Sequence, residues 1–213
     1  MVSPAPAPAP HRIAMTPGAH RALEAATHLF YERGIHAVGV DLIAAEAGVT
    51  KKTLYDRFGS KEQLVVEYLA ARDERWREFL SERLAAAAGD PPEGRVLAVF
   101  DASRDWSARH CTRGCGMVNA HAEIGDPRHP AYGIITGQKA WMLALFIGLA
   151  RDSVPSVPSA PGGAGPSAPD RAEQLGRALM LLHEGALVAY GLGVFDDPLG
   201  AARDQARALL ASA

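Results

Sequence analysis

The stretch VDLIAAEAGVTKKTLYDRFGSKEQL, residues 40–64, admits few folds. It reads as two short helices joined by a tight turn and followed at once by the capped start of a third. In the first, Ile43, Ala44 and Ala47 fall on one face at helical spacing; in the second, Leu54 and Phe58 do the same. Both faces point at one small core. Gly48 sits between the helices, where a short helix–helix turn needs a residue tolerant of positive φ, and Val49 follows as the apolar plug of the angle. Thr50 is a good N-cap for the second helix, which then presents Lys51, Lys52, Thr53 and Tyr55 to a groove. Two lysines and two hydroxyls there suit phosphate oxygens and base edges.

The flanks complete the unit. Downstream, Gly59 ends the second helix as a C′ glycine, and Ser60 to Gln63 forms a capping box that opens a long helix. Lys61 sits in that first turn, where exposed backbone N–H groups already favour an anion. Upstream, Thr16 and Pro17 are an N-cap and an N1 proline, and Leu23, Ala26 and Phe30 form an apolar stripe ending at Arg33-Gly34. A three-helix domain is therefore complete by Ser60.

Taken in order, FYERGI, DLIAAEAGV, TKKTLYDRF and GSKEQL resemble the TetR family of bacterial transcriptional repressors. The resemblance implies a DNA reader followed by a larger helical domain that dimerises and binds a small-molecule inducer. It implies DNA contacts at Thr50, Lys51, Lys52, Thr53 and Tyr55, with Tyr55 on phosphate, and a phosphate-binding role for Lys61; Leu54 and Phe58 match core positions. Two departures stand out. Gly39 replaces the threonine that commonly caps the family's second helix, leaving Asp41 to complement the helix dipole. Asp56-Arg57 replaces a common histidine before the phenylalanine; Arg57 suits guanine or phosphate, while Asp56 either accepts from cytosine or points away.

Bulk charge does not announce a nucleic-acid binder, because the net charge is −2. Between His11 and Ser60, Arg12, Arg21, Arg33, Lys51, Lys52 and Arg57 stand against Glu24, Glu32, Asp41, Glu46 and Asp56, so specific contacts must carry affinity. At 213 residues and 48% hydrophobic, the chain supports one or two domains with a sizeable core. The N-terminus carries no cationic segment leading into an apolar one, and the apolar run Ala140 to Ala150 is short of the roughly 20 residues of a membrane span. A cytoplasmic protein without membrane partners is expected.

Residues 1–12 form an Ala-Pro arm with no means of burying a core, expected to be disordered. The helix from Lys61 should run to about Ala88, where Gly89-Asp90-Pro91-Pro92 stops it. Val96, Val99, Phe100 and Ser103 mark the next helix, residues from Met117 to Ile124 a short one, and Trp141, Leu145 and Leu149 an apolar one reaching about Arg151. Residues 153–169 read as a flexible Pro/Gly/Ser/Ala loop. Leu175, Leu179, Leu182, Ala186 and Tyr190 then mark one long helix, and Ala202, Gln205, Ala206 and Leu209 a final one. The resemblance makes these last two helices a dimer interface. Gly176, Ala178, Gly185, Ala186 and Ala189 suit close packing there, or equally within one subunit.

For a ligand, Trp106, Met117, Trp141, Met142 and Phe146 supply apolar lining, and Asn119, His121, His183 and Glu184 supply polar handles on apolar helices. Cys111 and Cys115, flanked by His110 and His121, invite a redox or metal-responsive alternative, but the spacing is not a standard zinc pattern and no metal site is assigned. His183-Glu184 or His121 with Glu123 offers acid–base chemistry to a small helical enzyme, yet no catalytic motif accompanies them, and neither catalytic residues nor a cofactor are expected.

The sequence therefore predicts an all-α chain. Residues 13–60 are a helix-turn-helix DNA-binding domain and 61–213 a regulatory and dimerisation domain. The function expected is a repressor, homodimeric through its last two helices, that binds an inverted-repeat operator in double-stranded DNA and is released by a small-molecule effector.

Overall fold

The computed structural model describes residues 12–154 and 167–212. Among them it has nine helices and no strand: α1 (Pro17–Arg33), α2 (Val40–Glu46), α3 (Lys51–Phe58), α4 (Lys61–Ala86), α5 (Pro92–His110), α6 (Gly116–Glu123), α7 (Tyr132–Ser153), α8 (Ala168–Leu192) and α9 (Pro198–Ala211). They sort into two compact units, Met1–Arg75 with Gly116–Gln138 and Trp76–Cys115 with Lys139–Ala213.

In the first unit α1, α2 and α3 pack pairwise. Thr16 Oγ1 accepts the Ala19 N–H at 3.3 Å to start α1, and Gly34, at φ 91, ends it. The buried stripe of α1 runs through Ala22, Ala26, Leu29 and Phe30, while Leu23 is only half-buried. Ile43, Ala44, Leu54 and Phe58 close the small core beneath the turn. Gly48 takes φ 61, and the Val49 N–H returns to the Ala44 carbonyl at 3.0 Å.

At the root of α4, Ser60 Oγ accepts the Gln63 N–H at 3.1 Å. Residues 64–70 are then all buried, including the carboxylate of Glu67 at 0% exposure. A buried charge requires partners. Glu67 accepts from Arg12 Nε at 2.7 Å, from the Ile13 N–H at 2.8 Å and from Gln63 Nε2 at 3.1 Å, and Arg12 also pairs with Glu74. Arg12, expected in a disordered arm, is thus held; the rest of that arm lies outside the described residues.

The second unit is a helical core of Leu80, Val96, Val99, Phe100, Met142, Phe146, Leu179, Leu199 and Ala206. By length and composition α7 could cross a membrane, since it starts well before the apolar run seen in the sequence, but Met142, Phe146, Leu149 and Ala150 are spent on this core. α7 extends to Ser153, and Ser167 caps α8 from Ala168; the expected flexible loop between them lies outside the described residues apart from those ends. The small residues of α8 divide. A Cβ on Gly176 would stand 2.7 Å from the Ile147 Cα, so Gly176 serves packing within the subunit, whereas Gly185 faces open space.

Candidate nucleic-acid interface and regulatory core

The α3 surface begins with its cap. Thr50 Oγ1 accepts the Thr53 N–H at 3.0 Å and lies 2.8 Å from the Thr53 hydroxyl, which turns both hydroxyls toward the helix start. With Leu54 and Phe58 pinned in the core, Lys51, Lys52, Tyr55 and Arg57 are exposed and Thr53 is half-buried. Both lysines carry carboxylate partners: Lys51 Nζ donates to Asp41 Oδ2 at 2.9 Å and Lys52 Nζ to Asp56 Oδ2 at 2.7 Å. Asp41 thereby raises the pKa of Lys51. Water screens exposed pairs of this kind, so a phosphate can displace either carboxylate at little cost. Gly39 gives α2 no side-chain cap, in line with the missing threonine.

Lys61 is half-buried and lies 6.0 Å from the Phe30 ring centroid. Burial lowers its pKa, and the carboxylate of Glu123 partly opposes that. A partly desolvated ammonium beside a helix start is a directed anion site.

The ligand-pocket candidates divide between the units. Met117, Asn119 and His121 stand on α6 in the first, with the His121 ring 5.8 Å from Tyr132. In the second, Trp106 meets Trp76 in a T-shaped contact at 5.6 Å and Phe79 at a tilt at 5.4 Å, and Trp76 Nε1 donates to the Met142 sulfur at 3.4 Å. Trp141 lies beneath the Arg77 guanidinium at 4.1 Å. Phe146 and Phe100 each make a T-shaped contact with the ring of His183, which is 3% exposed. His183 Nε2 lies 2.7 Å from Ser103 Oγ, and its Nδ1 lies 3.4 Å from Glu184 Oε1. A cavity of about 660 Å³ opens elsewhere, among Asp101, Arg104, Asp196, Asp197, Arg203 and Asp204.

Sequence reasoning missed Lys139, which joins this cluster by donating to both Glu184 oxygens at 2.9 and 2.8 Å and to Cys115 Sγ at 3.3 Å. A single lysine immediately before the apolar run of α7 is the available signal. Burial by itself would raise the Glu184 pKa, but the nearby His183 ring nitrogen and the Lys139 ammonium outweigh it and hold the carboxyl at about 2. Cys111 is buried, and among the described residues no three His, Cys, Asp or Glu side chains gather as a metal site.

Comparison with known proteins agrees with this arrangement. Residues 22–68 match the family described as bacterial regulatory proteins, tetR family. A solved TetR-family transcriptional regulator from Streptomyces coelicolor has the same fold at TM-score 0.78, with 30% identity, covering 92% of this chain and 90% of that one. The chain belongs to the TetR family of transcriptional regulators. Two curated relatives are also similar. The HTH-type transcriptional activator FasR of Mycolicibacterium smegmatis is 32% identical over 132 residues, 62% of this chain and 58% of that protein. The HTH-type transcriptional regulator LmrA of Bacillus subtilis is 37% identical over 105 residues, 48% of this chain and 55% of that protein. The matches therefore span little more than half the length of these curated relatives. The family match runs from α1 into α4 and contains every α3 residue named above as well as Lys61. This TetR-family chain is thus a DNA-binding transcriptional regulator whose aromatic core lies outside that match.

Proposed function

We propose that this TetR-family chain is a cytoplasmic, homodimeric repressor that occupies an inverted-repeat operator and leaves it when a small molecule binds among the aromatic residues around Trp106, Trp141, Phe146 and His183. The observation that carries the DNA-reading part is the α3 face, where Lys51, Lys52, Tyr55 and Arg57 are exposed on a helix anchored by Leu54 and Phe58. Thr50, Thr53 and Lys61 complete the contact set. Each subunit would lay α3 in a major groove. The dimer is supported by an apolar stripe on α8, where Leu181 is 74%, Val188 47% and Leu192 72% exposed around the open Gly185, with Leu209 of α9 also exposed. Large apolar side chains at one helical face call for a covering surface, and a second copy meets it by two-fold symmetry.

Selection of duplexes from a random pool, followed by footprinting, tests this reading. A two-fold symmetric site is expected, with repression in a purified transcription assay and relief by an apolar aromatic compound found by screening. Enrichment of no sequence by folded protein would overturn operator reading. Stimulation of transcription from the bound promoter would replace the repressor with an activator, the role named for FasR.

A second reading has one observation in its favour. Lys139 Nζ donates to the half-buried Cys115 sulfur at 3.3 Å, and a cation beside an accessible thiol fits an oxidant-responsive regulator. Peroxide treatment should then weaken operator binding by the wild type and leave Cys115→Ser unaffected; equal loss in both would remove this reading.

A further inference from the structure

The segment Gly116–Gln138 clusters with the DNA-binding helices, although the chain enters it from Cys115 and leaves it into Lys139, both of the other unit. Glu123, the last residue of α6, ties this segment to those helices. One carboxylate oxygen accepts the Ile35 N–H at 2.9 Å and the other the His36 N–H at 2.7 Å, with His36 Nδ1 3.3 Å from the second oxygen. These donors are successive amides in the turn between α1 and α2, and two charge-assisted hydrogen bonds to neighbouring amides fix both position and orientation. Gly34 leaves room for the carboxylate, because a Cβ there would stand 3.1 Å from Glu123 Oε1 on a backbone already at φ 91. The same carboxylate acts electrostatically on Lys61. Glu123 therefore holds the turn that leads into α2 and biases the ammonium at the root of α4.

We propose that Glu123 is a positioning residue for DNA reading: it fastens the α1–α2 turn to the segment that enters and leaves the regulatory unit, and so fixes the pose in which α3 meets its half-site. The proposal rests on the operator-reading role set out above. It separates the carboxylate from any general part in folding, because a pose that is held sets the half-site separation a dimer tolerates. A reading domain freed from its seat accepts several separations.

The test uses the full chain and the symmetric duplex selected by the wild type, together with duplexes carrying one or two base pairs inserted between the half-sites. Wild-type protein should lose at least about tenfold in affinity on each altered duplex, in the range common for coupled sites. Glu123→Ala should bind the parent duplex a few-fold more weakly and discriminate among spacings by less than about threefold. Glu123→Gln, which keeps the length and one acceptor, should fall between them. Amide exchange at Ile35 and His36 should accelerate in both variants. Wild-type spacing discrimination in Glu123→Ala would overturn the positioning role and leave operator reading intact, including the case in which a poorly folded variant loses affinity equally on every duplex. Failure of the wild type to select any symmetric site would instead remove the operator reading, and this proposal with it.

Discussion

The two units handle charge in opposite ways. On the α3 face each lysine has one carboxylate partner, and both members of each pair are exposed, with Lys52 at 82% and Asp56 at 57% of their side-chain surface. In the second unit Lys139 and Glu184 are each 23% exposed, and they sit in a network with Cys115, His183 and Ser103. Water screens the first kind of pair and leaves it worth little, so it can be traded for DNA phosphate. The second kind is costly to break, because whichever charge remains is left desolvated. A regulator gains from both: exchangeable charge where it must bind and let go, locked charge where the packing of α7 against α8 must be unique.

The largest effect should come from breaking the locked pair. Glu184→Ala leaves the Lys139 ammonium with its sulfur neighbour only and should cost about 3 kcal/mol in urea unfolding at neutral pH. The same contact makes a pH prediction. The Glu184 carboxyl is held at about 2, below its ordinary value of 4.5, so its contribution is complete above pH 4.5 and fades as pH falls toward 2. Wild-type stability should therefore decline over that window more steeply than that of Glu184→Gln; parallel curves would show that the network does not govern acid stability.

Gly176→Ala should come next, at about 1–3 kcal/mol, since its Cβ would stand 2.7 Å from the Ile147 Cα and backbone must give. A shift in thermal midpoint with unchanged affinity for the selected duplex is expected. On the exchangeable side, Tyr55→Ala or Lys61→Ala should weaken operator binding roughly tenfold. Lys61→Ala should also reduce the salt slope by about one ion, with stability altered by less than about 0.5 kcal/mol. The smallest effect belongs to Asp56→Asn. Removing the competitor for Lys52 should strengthen DNA binding about two- to threefold with no measurable change in unfolding, because the lost pair is solvent-exposed. Weaker binding by Asp56→Asn would mean that Asp56 itself contacts a base.

The α8 helix marks the boundary of what local pattern could reveal. Its periodicity marks Leu175, Leu179, Leu182, Ala186 and Tyr190; Leu175, Leu179 and Ala186 are buried, while Leu182 and Tyr190 are half-buried. Periodicity could not divide its small residues, because whether Gly176 or Gly185 meets a neighbour depends on where α7 passes. A polar or aromatic residue on an apolar helix marks a ligand candidate but does not tell which unit that helix joins. Met117, Asn119 and His121 consequently fell in the first unit and the remainder in the second. Of the expected α1 stripe, Ala26 and Phe30 are buried and Leu23 is half-buried, with Ala22 buried beside it.

By itself the sequence determined the capped starts of α1, α3 and α4 and the exposed face of α3, because those depend on interactions within one turn: Thr16 with Ala19, Thr50 with Thr53, Ser60 with Gln63. Only the tertiary structure decided the partners of the buried or half-buried acids. Glu67 meets Arg12 across 55 positions, Glu123 meets Ile35 across 88 and Glu184 meets Lys139 across 45. A carboxylate removed from water must find donors wherever the folded chain brings them, and no local pattern records that distance.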